Sequence, residues 1–93
     1  MAKLDGLATV LDSLKGLQPK IAAQISKKVL SLNIDPIPAD SKELVGYSGC
    51  YRVDSGEYRT VYRFIPEQDL VVVILVGKRN DDDVYKKLKR LLG

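Results

Sequence analysis

Arginine and tyrosine side chains in the second half of the chain are the groups best suited to chemistry. The 93 residues include no histidine and a single cysteine, Cys50, so the chain offers neither an imidazole base nor a thiolate cluster. The glycines are dispersed and form no phosphate-binding loop. Any catalysis must therefore use arginine, lysine, tyrosine, aspartate or glutamate, and we expect neither a metal nor a cofactor.

A predicted β-hairpin places several charged residues on one strand face. If residues 55–56 form a two-residue turn, Arg52 pairs directly with Arg59. Alternation then puts six residues on that face: Arg52, Asp54, Glu57, Arg59, Val61 and Arg63. Two facing arginines repel unless an anion lies over them, and guanidinium groups bind phosphate oxygens bidentately. Alternatively, Asp54 and Glu57 neutralise the arginines in cross-strand ion pairs, and the face is an ordinary salt-bridged surface.

Two amphipathic helices are predicted before this hairpin. Apolar residues recur at helical spacing over residues 4–14, and this helix should end near Gly16. Pro19 is well placed to open a second helix, whose apolar stripe covers residues 21–32. The short turn between the two helices predicts an antiparallel helical hairpin.

Strand patterns dominate the second half. Residues 50–54 and 58–65 alternate with period two, and residues 70–77 are apolar on both faces, as in a covered strand. The three aspartates at 81–83 are suited to the start of a last helix. The predicted fold is α+β: an N-terminal helical hairpin packed on a small antiparallel sheet of three strands, with a C-terminal helix, in one domain spanning residues 1–93.

Charge and hydropathy indicate a cytoplasmic protein. The net charge of +3 is a mild bias toward polyanions. The longest apolar run, residues 70–76, is far shorter than the roughly 20 residues that span a bilayer. The first residues contain no apolar core of the kind that signal peptides have, and one cysteine fits a reducing compartment. We expect no membrane partner.

The second half resembles the RelE/ParE toxin superfamily. The resemblance covers residues 14–93 and is strongest over 44–85. Four segments carry it, in the family's order and spacing: Tyr51-Arg52-Val53, Gly56-Glu57-Tyr58-Arg59-Thr60-Val61-Tyr62, Val76-Gly77-Lys78-Arg79 and Val84-Tyr85. The last two segments look closer to the RelE branch than to ParE. A RelE-like fold is therefore implied.

This resemblance implies the toxin of a type II toxin–antitoxin system. RelE-like toxins are ribosome-dependent endoribonucleases that cleave mRNA by attack of a ribose 2′-hydroxyl on the adjacent phosphate. The implied partners are a cognate antitoxin, with a heterotetramer as the expected assembly, the ribosome and mRNA. Two alternatives stay open at this point: a ParE-like inhibitor of DNA gyrase that catalyses nothing, and a non-toxic, decayed relative that acts as a binding module.

The resemblance also implies roles for individual residues. Arg59 matches the arginine that clamps the scissile phosphate, and Arg79 matches the arginine assigned to the leaving group or to transition-state charge. Tyr85 matches the tyrosine that stacks on or orients the nucleotide, and Arg52 falls where the family often has a basic residue near the nucleophile. Three further basic residues are expected to contact RNA: Arg63, Lys78 and Lys86.

Two departures from the family pattern affect these expectations. Asp54 stands where relatives commonly have a second basic residue. Because arginine almost never loses its proton, Arg52 is a poor base, so either Asp54 or Glu57 accepts the 2′-hydroxyl proton or no protein base is used. Relatives also open with a β-strand, for which only residues 1–6 are available here. We expect that fourth strand to be degenerate or absent, leaving a sheet edge open for a partner's strand.

The position of Arg79 depends on the connection around residues 67–68. A loop of three or five residues would put Arg79 on the face of Arg52 and Arg59, because side chains alternate along a strand. A loop of two or four residues would not, unless the end of the strand bends.

Overall fold

The computed structural model describes residues 1–78 and 83–92. The elements follow in the order β1 (Lys3–Asp5), α1 (Leu7–Leu14), α2 (Pro19–Ser31), β2 (Lys42–Glu43), β3 (Cys50–Ser55), β4 (Tyr58–Ile65), a turn of 3-10 helix (Pro66–Gln68), β5 (Leu70–Lys78) and α3 (Asp83–Leu92). Within this part of the chain, no helix has the length and apolar character needed to cross a lipid bilayer.

Helices α1 and α2 form where the apolar spacing predicts them. Helix α1 ends at Leu14, close to Gly16, and Pro19 lies in the first turn of α2, where its missing N–H costs no hydrogen bond. Both helices contribute to one core cluster, in which Val10 and Ile25 contact the β5 residue Val73. Helix α1 does not begin at Leu4, however, because that residue belongs to β1.

The sheet has five strands instead of the predicted three, and it is mixed. Its order is β1-β5-β4-β3-β2, with β1 parallel to β5 and all other pairs antiparallel. The first strand is short but present: Lys3–Asp5 pairs with residues 70–72. The expectation that this edge of the sheet is left open is therefore wrong, because β1 occupies the edge of β5. Strands β1 and β2 have three and two residues, which is too short for alternation to reveal them.

Gly6 makes the connection from β1 to α1 possible. Its φ of 80° lies in the left-handed region, and a Cβ at this position would lie 2.2 Å from the carbonyl oxygen of Val73. Glycine is the residue that combines this conformation with so close an approach of two backbones. The first helix can therefore pack directly over β5.

The β3–β4 hairpin turns one residue later than predicted. Residues 56–57 form the turn, so Asp54 pairs with Arg59 and Arg52 pairs with Val61. The predicted Arg52–Arg59 pair is wrong, and Glu57 lies in the turn instead of on the strand face. Gly56, with a φ of 60°, takes the first central position, which glycine favours in a hairpin turn. This register also replaces a repulsive pair by an attractive one.

The two sheet faces carry different layers. Helices α1 and α2 cover the face that presents Val53, Tyr62 and Val71, all buried. The other face carries the charged residues of the hairpin, and its apolar residues Val61 and Leu75 pack under α3. Strand β5 lies between β1 and β4 and is covered on both faces, as its apolar run predicts.

A β-bulge at Ile74 decides which face the end of β5 presents. Val61 pairs with Leu75 whereas Tyr62 pairs with Val73, so Ile74 is the extra residue. The four-residue connection 66–69 would place Arg79 away from the arginine face, but the bulge reverses the alternation and brings Gly77 opposite Arg59. Arg79 itself lies outside the described residues.

Candidate active site

Arg59 is the centre of the charged face. Its Nε donates a hydrogen bond to Oδ1 of Asp54 at 3.0 Å, and its Nη1 donates to the hydroxyl oxygen of Tyr85 at 2.7 Å. The guanidinium carbon lies 6.0 Å from the centroid of the Tyr85 ring, within the range of a cation–π contact. The side chain of Arg59 is only 12% exposed. Strand β3 and helix α3 therefore fix between them the guanidinium that β4 supplies.

Asp54 lies between two arginines. Its Oδ2 is 3.9 Å from Nη1 of Arg52, while its Oδ1 accepts the bond from Arg59. The side chains of Arg52 and Asp54 are 24% and 31% exposed, so these charges are less screened than a surface pair. The cross-strand ion pairing offered as the alternative from sequence is present at Asp54, and the same pairing brings both guanidinium groups to one place.

The charge of Arg59 is secure in this setting. Burial lowers the pKa of the guanidinium, but the hydrogen bonds and charges of Asp54 and Tyr85 raise that pKa above its ordinary value. Arg59 therefore stays a cation throughout the accessible pH range. A permanent, partly buried cation is suited to binding an anion and to stabilising negative charge in a transition state.

A cavity of about 360 Å³ adjoins the arginine pair. Arg52 and Tyr85 form one part of its lining, and the remainder comes from β2 and the segment that follows it: Lys42, Glu43, Leu44, Val45 and Tyr47. No role at the site was predicted for these residues, although residues 44–46 fit the family pattern, because β2 has two residues and no catalytic motif. The aromatic ring of Tyr47, which follows the buried Leu44 in a turn, was the available signal.

The remaining predicted site residues are more scattered. Arg63 lies on the same strand face as Arg59 but is exposed, and its Nη2 is 3.6 Å from the sulfur of Cys50. Lys78 pairs with Tyr58, on the opposite face of the sheet, and Lys86 is exposed on α3. The structure thus brings together Arg52, Asp54, Arg59 and Tyr85.

The chain is similar to known toxins of type II toxin–antitoxin systems in sequence and in fold. The family model described as the ParE toxin of type II toxin–antitoxin systems matches residues 3–83. The mRNA interferase toxin RelE of Escherichia coli K12 is 34% identical over 92 residues, which cover 96% of each chain. The crystal structure of the isolated E. coli RelE toxin superposes with a TM-score of 0.70 at 28% identity and covers 100% of both chains.

A second solved structure includes a partner. The RelE chain of the intact E. coli RelBE toxin–antitoxin complex superposes with a TM-score of 0.68 at 33% identity, over 84% of this chain and 96% of that one. The similarity in sequence and in fold thus extends over nearly the whole chain. The chain belongs to the RelE/ParE superfamily of type II toxin–antitoxin toxins and, within it, to the RelE-like branch.

Proposed function

We propose that this chain is the toxin of a type II toxin–antitoxin system, a metal-independent endoribonuclease that cleaves mRNA on the ribosome in the cytoplasm. The observation that carries the proposal is Arg59, a guanidinium 12% exposed that Asp54 and Tyr85 hold beside Arg52. The E. coli relative with matching length is named an mRNA interferase toxin, which supports the same activity here.

The proposed reaction needs positive charge more than it needs a cofactor. The ribose 2′-oxygen attacks the adjacent phosphorus, an O2′–P bond forms and the P–O5′ bond breaks. The products are a 2′,3′-cyclic phosphate and a free 5′-hydroxyl, and one proton moves from the 2′-oxygen to an acceptor while the 5′-oxygen gains one. Negative charge grows on the phosphoryl oxygens in between, where fixed cationic donors are worth most.

The site residues divide this work among them. Arg59 binds the scissile phosphate and its developing charge, and Arg52 adds a second positive charge beside it. Tyr85 holds Nη1 of Arg59 and offers its ring to the nucleotide. Arg79, as the resemblance implies, acts on the leaving group. The exposed cations Arg63 and Lys86 extend the RNA contact, whereas Lys78 lies on the opposite face of the sheet from Arg59 and is not assigned to it.

Asp54 is the candidate for the proton acceptor. Its carboxylate lies against Nε of Arg59 and therefore beside any phosphate that Arg59 binds, whereas Glu57 lies in the hairpin turn. If Asp54 is the base, Asp54→Asn lowers the single-turnover rate of cleavage on programmed ribosomes about 100-fold, the lower range for a lost general base. An undiminished rate would show that Asp54 does not take this proton.

The main test is expression of the toxin without antitoxin. Wild-type protein is expected to arrest growth and to leave cuts within translated mRNA, mapped by primer extension. Arg59→Ala and Arg79→Ala are expected to abolish both effects. Lys20→Ala, which removes an exposed lysine of α2 remote from the arginines in sequence, serves as the matched control and should remain toxic. Toxicity that survives both arginine substitutions would contradict the proposal.

One observation favours a second function enough to name it. The family model that matches residues 3–83 is named for ParE, and a ParE-like toxin would inhibit DNA gyrase without cleaving RNA. Growth arrest with intact mRNA and accumulating DNA breaks would identify that activity. Two departures from the family pattern supported the decayed-relative alternative: Asp54 and a missing first strand. The second no longer applies, because β1 is present. It predicts normal growth on expression without antitoxin.

We also propose an antitoxin partner that contacts α3. E. coli RelE has been crystallised in complex with its antitoxin RelB, and this chain shares the fold. Among the described α3 side chains, Leu88 is buried whereas Tyr85 and Leu91 are 42% and 61% exposed. Because Leu88 is the one buried side chain among those described in α3, a partner helix is expected to be able to displace α3. Light scattering of the co-expressed pair is expected to give the mass of a heterotetramer.

A further inference from the structure

Each of the two edges of the Arg59 guanidinium includes a nitrogen that already donates a hydrogen bond in the free protein. A planar anion can bind a guanidinium bidentately along the Nε/Nη2 edge or along the Nη1/Nη2 edge. Oδ1 of Asp54 lies 3.0 Å from Nε, a nitrogen of the first edge, and the Tyr85 hydroxyl lies 2.7 Å from Nη1, a nitrogen of the second. A phosphate that binds Arg59 through two hydrogen bonds therefore uses a nitrogen that already has an internal acceptor, whichever edge it binds.

The two internal acceptors are not equivalent. Tyr85 is 42% exposed and neutral, so it can share Nη1 with a phosphate or rotate away without leaving a buried charge unpaired. Asp54 is an anion whose side chain is 31% exposed, and it also lies 3.9 Å from Nη1 of Arg52. A carboxylate and a phosphate on the same guanidinium repel each other. Asp54 is thus the group that competes with RNA.

We propose that Asp54 is an internal phosphate mimic: in the free protein its carboxylate occupies Nε of Arg59, and an RNA phosphate that binds along the Nε/Nη2 edge must displace it. The idea rests on the proposed function only in naming RNA as the competing anion. Asp54 compensates one of the two positive charges of Arg52 and Arg59, which keeps the free toxin from binding RNA tightly outside its working site.

Displacement also links binding to the chemical step. A carboxylate released from Nε of Arg59 lies next to the bound phosphate and is relieved of a charged hydrogen-bond donor at that moment. Asp54 is consequently a positioning and gating residue for the arginine pair, whether or not it accepts the 2′-hydroxyl proton. Removal of the Asp54 carboxylate should therefore strengthen RNA binding. Removal of a residue that merely held Arg59 in position for substrate would weaken RNA binding.

The test measures RNA binding by the isolated protein. The probe is a 2′-O-methyl RNA hexamer, which has phosphate diesters but no 2′-hydroxyl and cannot be cleaved. Binding is followed through the Nε–H resonance of Arg59 in NMR spectra, assigned with Arg59→Lys. Asp54→Asn is compared with wild type and with Glu67→Gln, which removes one exposed carboxylate from the β4–β5 turn and reports the general effect of charge. Asp54→Ser is a second variant that also removes the charge, and circular dichroism checks the folding of each.

Asp54→Asn and Asp54→Ser are expected to bind the hexamer about tenfold more tightly than wild type and clearly more tightly than Glu67→Gln, the scale of one hydrogen bond to a charged group. The plot of log affinity against log salt should steepen by about 0.7, because one more cation is free to pair with phosphate on a single strand. The proposal would be overturned if Asp54→Asn bound the hexamer no more tightly than Glu67→Gln does. It would also be overturned if the Arg59 resonance of Asp54→Asn did not shift when the hexamer is added.

The two proposals fail in different ways. Tighter hexamer binding by Asp54→Asn together with no ribosomal cleavage by wild type would retain the phosphate mimic and reject the nuclease. Ribosomal cleavage with unchanged hexamer binding would retain the nuclease and reject the mimic. In the ribosomal assay itself, a displaced Asp54 predicts a lower KM for Asp54→Asn regardless of the change in kcat.

Discussion

Arg59 contacts two different elements at once, and the shape of the guanidinium is what allows this. Nε meets the β3 residue Asp54 at 3.0 Å, and Nη1 meets the α3 residue Tyr85 at 2.7 Å. A lysine ammonium at the same position is a point charge on a flexible stem and presents no planar fork to a phosphate. The type of cation at this position therefore matters as much as its charge.

Replacement of Arg59 by lysine tests that point. Arg59→Lys is expected to keep the fold, because the strand register depends on backbone hydrogen bonds, and to slow cleavage on programmed ribosomes by about 100-fold or more, as loss of one preorganised donor does. Arg90→Lys, an exposed change on α3, is the matched control and should cleave at the wild-type rate. A rate for Arg59→Lys within threefold of wild type would mean that charge alone suffices.

At the residue scale, the site residues could be predicted from the sequence, whereas the contacts between them could not. The family pattern singles out Arg52, Arg59 and Tyr85, and the structure brings all three to one place. The cross-strand partner of Arg59 could not be predicted, because a turn at 55–56 and a turn at 56–57 both use Gly56 and differ by one residue. That single step changes the partner of Arg59 from an arginine to Asp54.

At the scale of elements, β1 depends on one glycine. Gly6 has a φ of 80° and leaves no room for a Cβ, which would lie 2.2 Å from the carbonyl oxygen of Val73. Gly6→Ala is expected to lower the free energy of unfolding by about 3 kcal/mol or more, from left-handed strain plus displacement of β1 and α1. Urea denaturation measures the loss.

Gly16→Ala is the matched control for Gly6→Ala. Gly16 has nearly the same φ, 82°, but a Cβ there would meet no atom within 4 Å. The expected cost is the left-handed strain alone, about 1–2 kcal/mol. Equal losses for the two variants would show that the close approach to Val73 contributes nothing.

Helix α3 depends on Leu88. This side chain is fully buried against Leu44, Cys50, Val61 and Leu75, while Leu91 is 61% exposed. Leu88→Ala is expected to destabilise the docking of α3 by about 2–5 kcal/mol, which is typical for a buried leucine. Hydrogen exchange should accelerate selectively in α3, and cleavage should fall because Tyr85 leaves Arg59.

Leu91→Ala provides the comparison for α3. Because that side chain is largely in solvent, exchange and cleavage should both remain at wild-type levels. Exchange that accelerates equally across the sheet in Leu88→Ala would indicate that α3 unfolds only together with the whole domain. In that case an antitoxin could not displace α3 at low cost.

Long apolar patterns predicted whole elements here, and short ones did not. The spacing of residues 21–32 is enough for α2, and the apolar run of β5 is enough for a covered strand. Strands β1 and β2 form because the backbone edges of β5 and β3 pair with them, a tertiary effect that three and two residues cannot signal. The α+β class was therefore predictable, and the strand count was not.

At the scale of the whole molecule, the buried Tyr62 makes the free energy of unfolding depend on pH. The ring is fully buried, stacks on Tyr51 at a centroid distance of 5.8 Å, and its hydroxyl donates a hydrogen bond to the carbonyl oxygen of Pro36 at 2.6 Å. Burial raises the pKa of Tyr62 to about 12 from an ordinary value of 10.0. The folded protein thus holds a proton that the unfolded chain releases earlier.

The sign of the pH effect follows from this difference. Stability from Tyr62 is fully present below pH 10 and is lost as pH rises toward about 12, because ionisation then favours the unfolded chain. The expected loss is about 2 kcal/mol of unfolding free energy. Urea denaturation at two values of pH, near neutral and near the raised pKa, measures it. Tyr62→Phe should start less stable by about 1 kcal/mol, from the lost hydrogen bond, and should lose less on alkalinisation. An identical alkaline loss in both proteins would contradict this assignment.

The bulge at Ile74 gives β5 tolerance to a change in length. The extra residue lies within an apolar run that is covered on both faces of the sheet, so the neighbouring side chains are at least partly buried on either face. A homologue lacking that residue would form a regular ladder and would still bring its counterpart of Gly77 opposite Arg59. When such sequences are aligned, a gap belongs at Ile74 and not in the turn before β5. The number of residues between Arg59 and Arg79 can thus differ by one between relatives. A sequence search that requires a fixed number would miss relatives that lack the bulge.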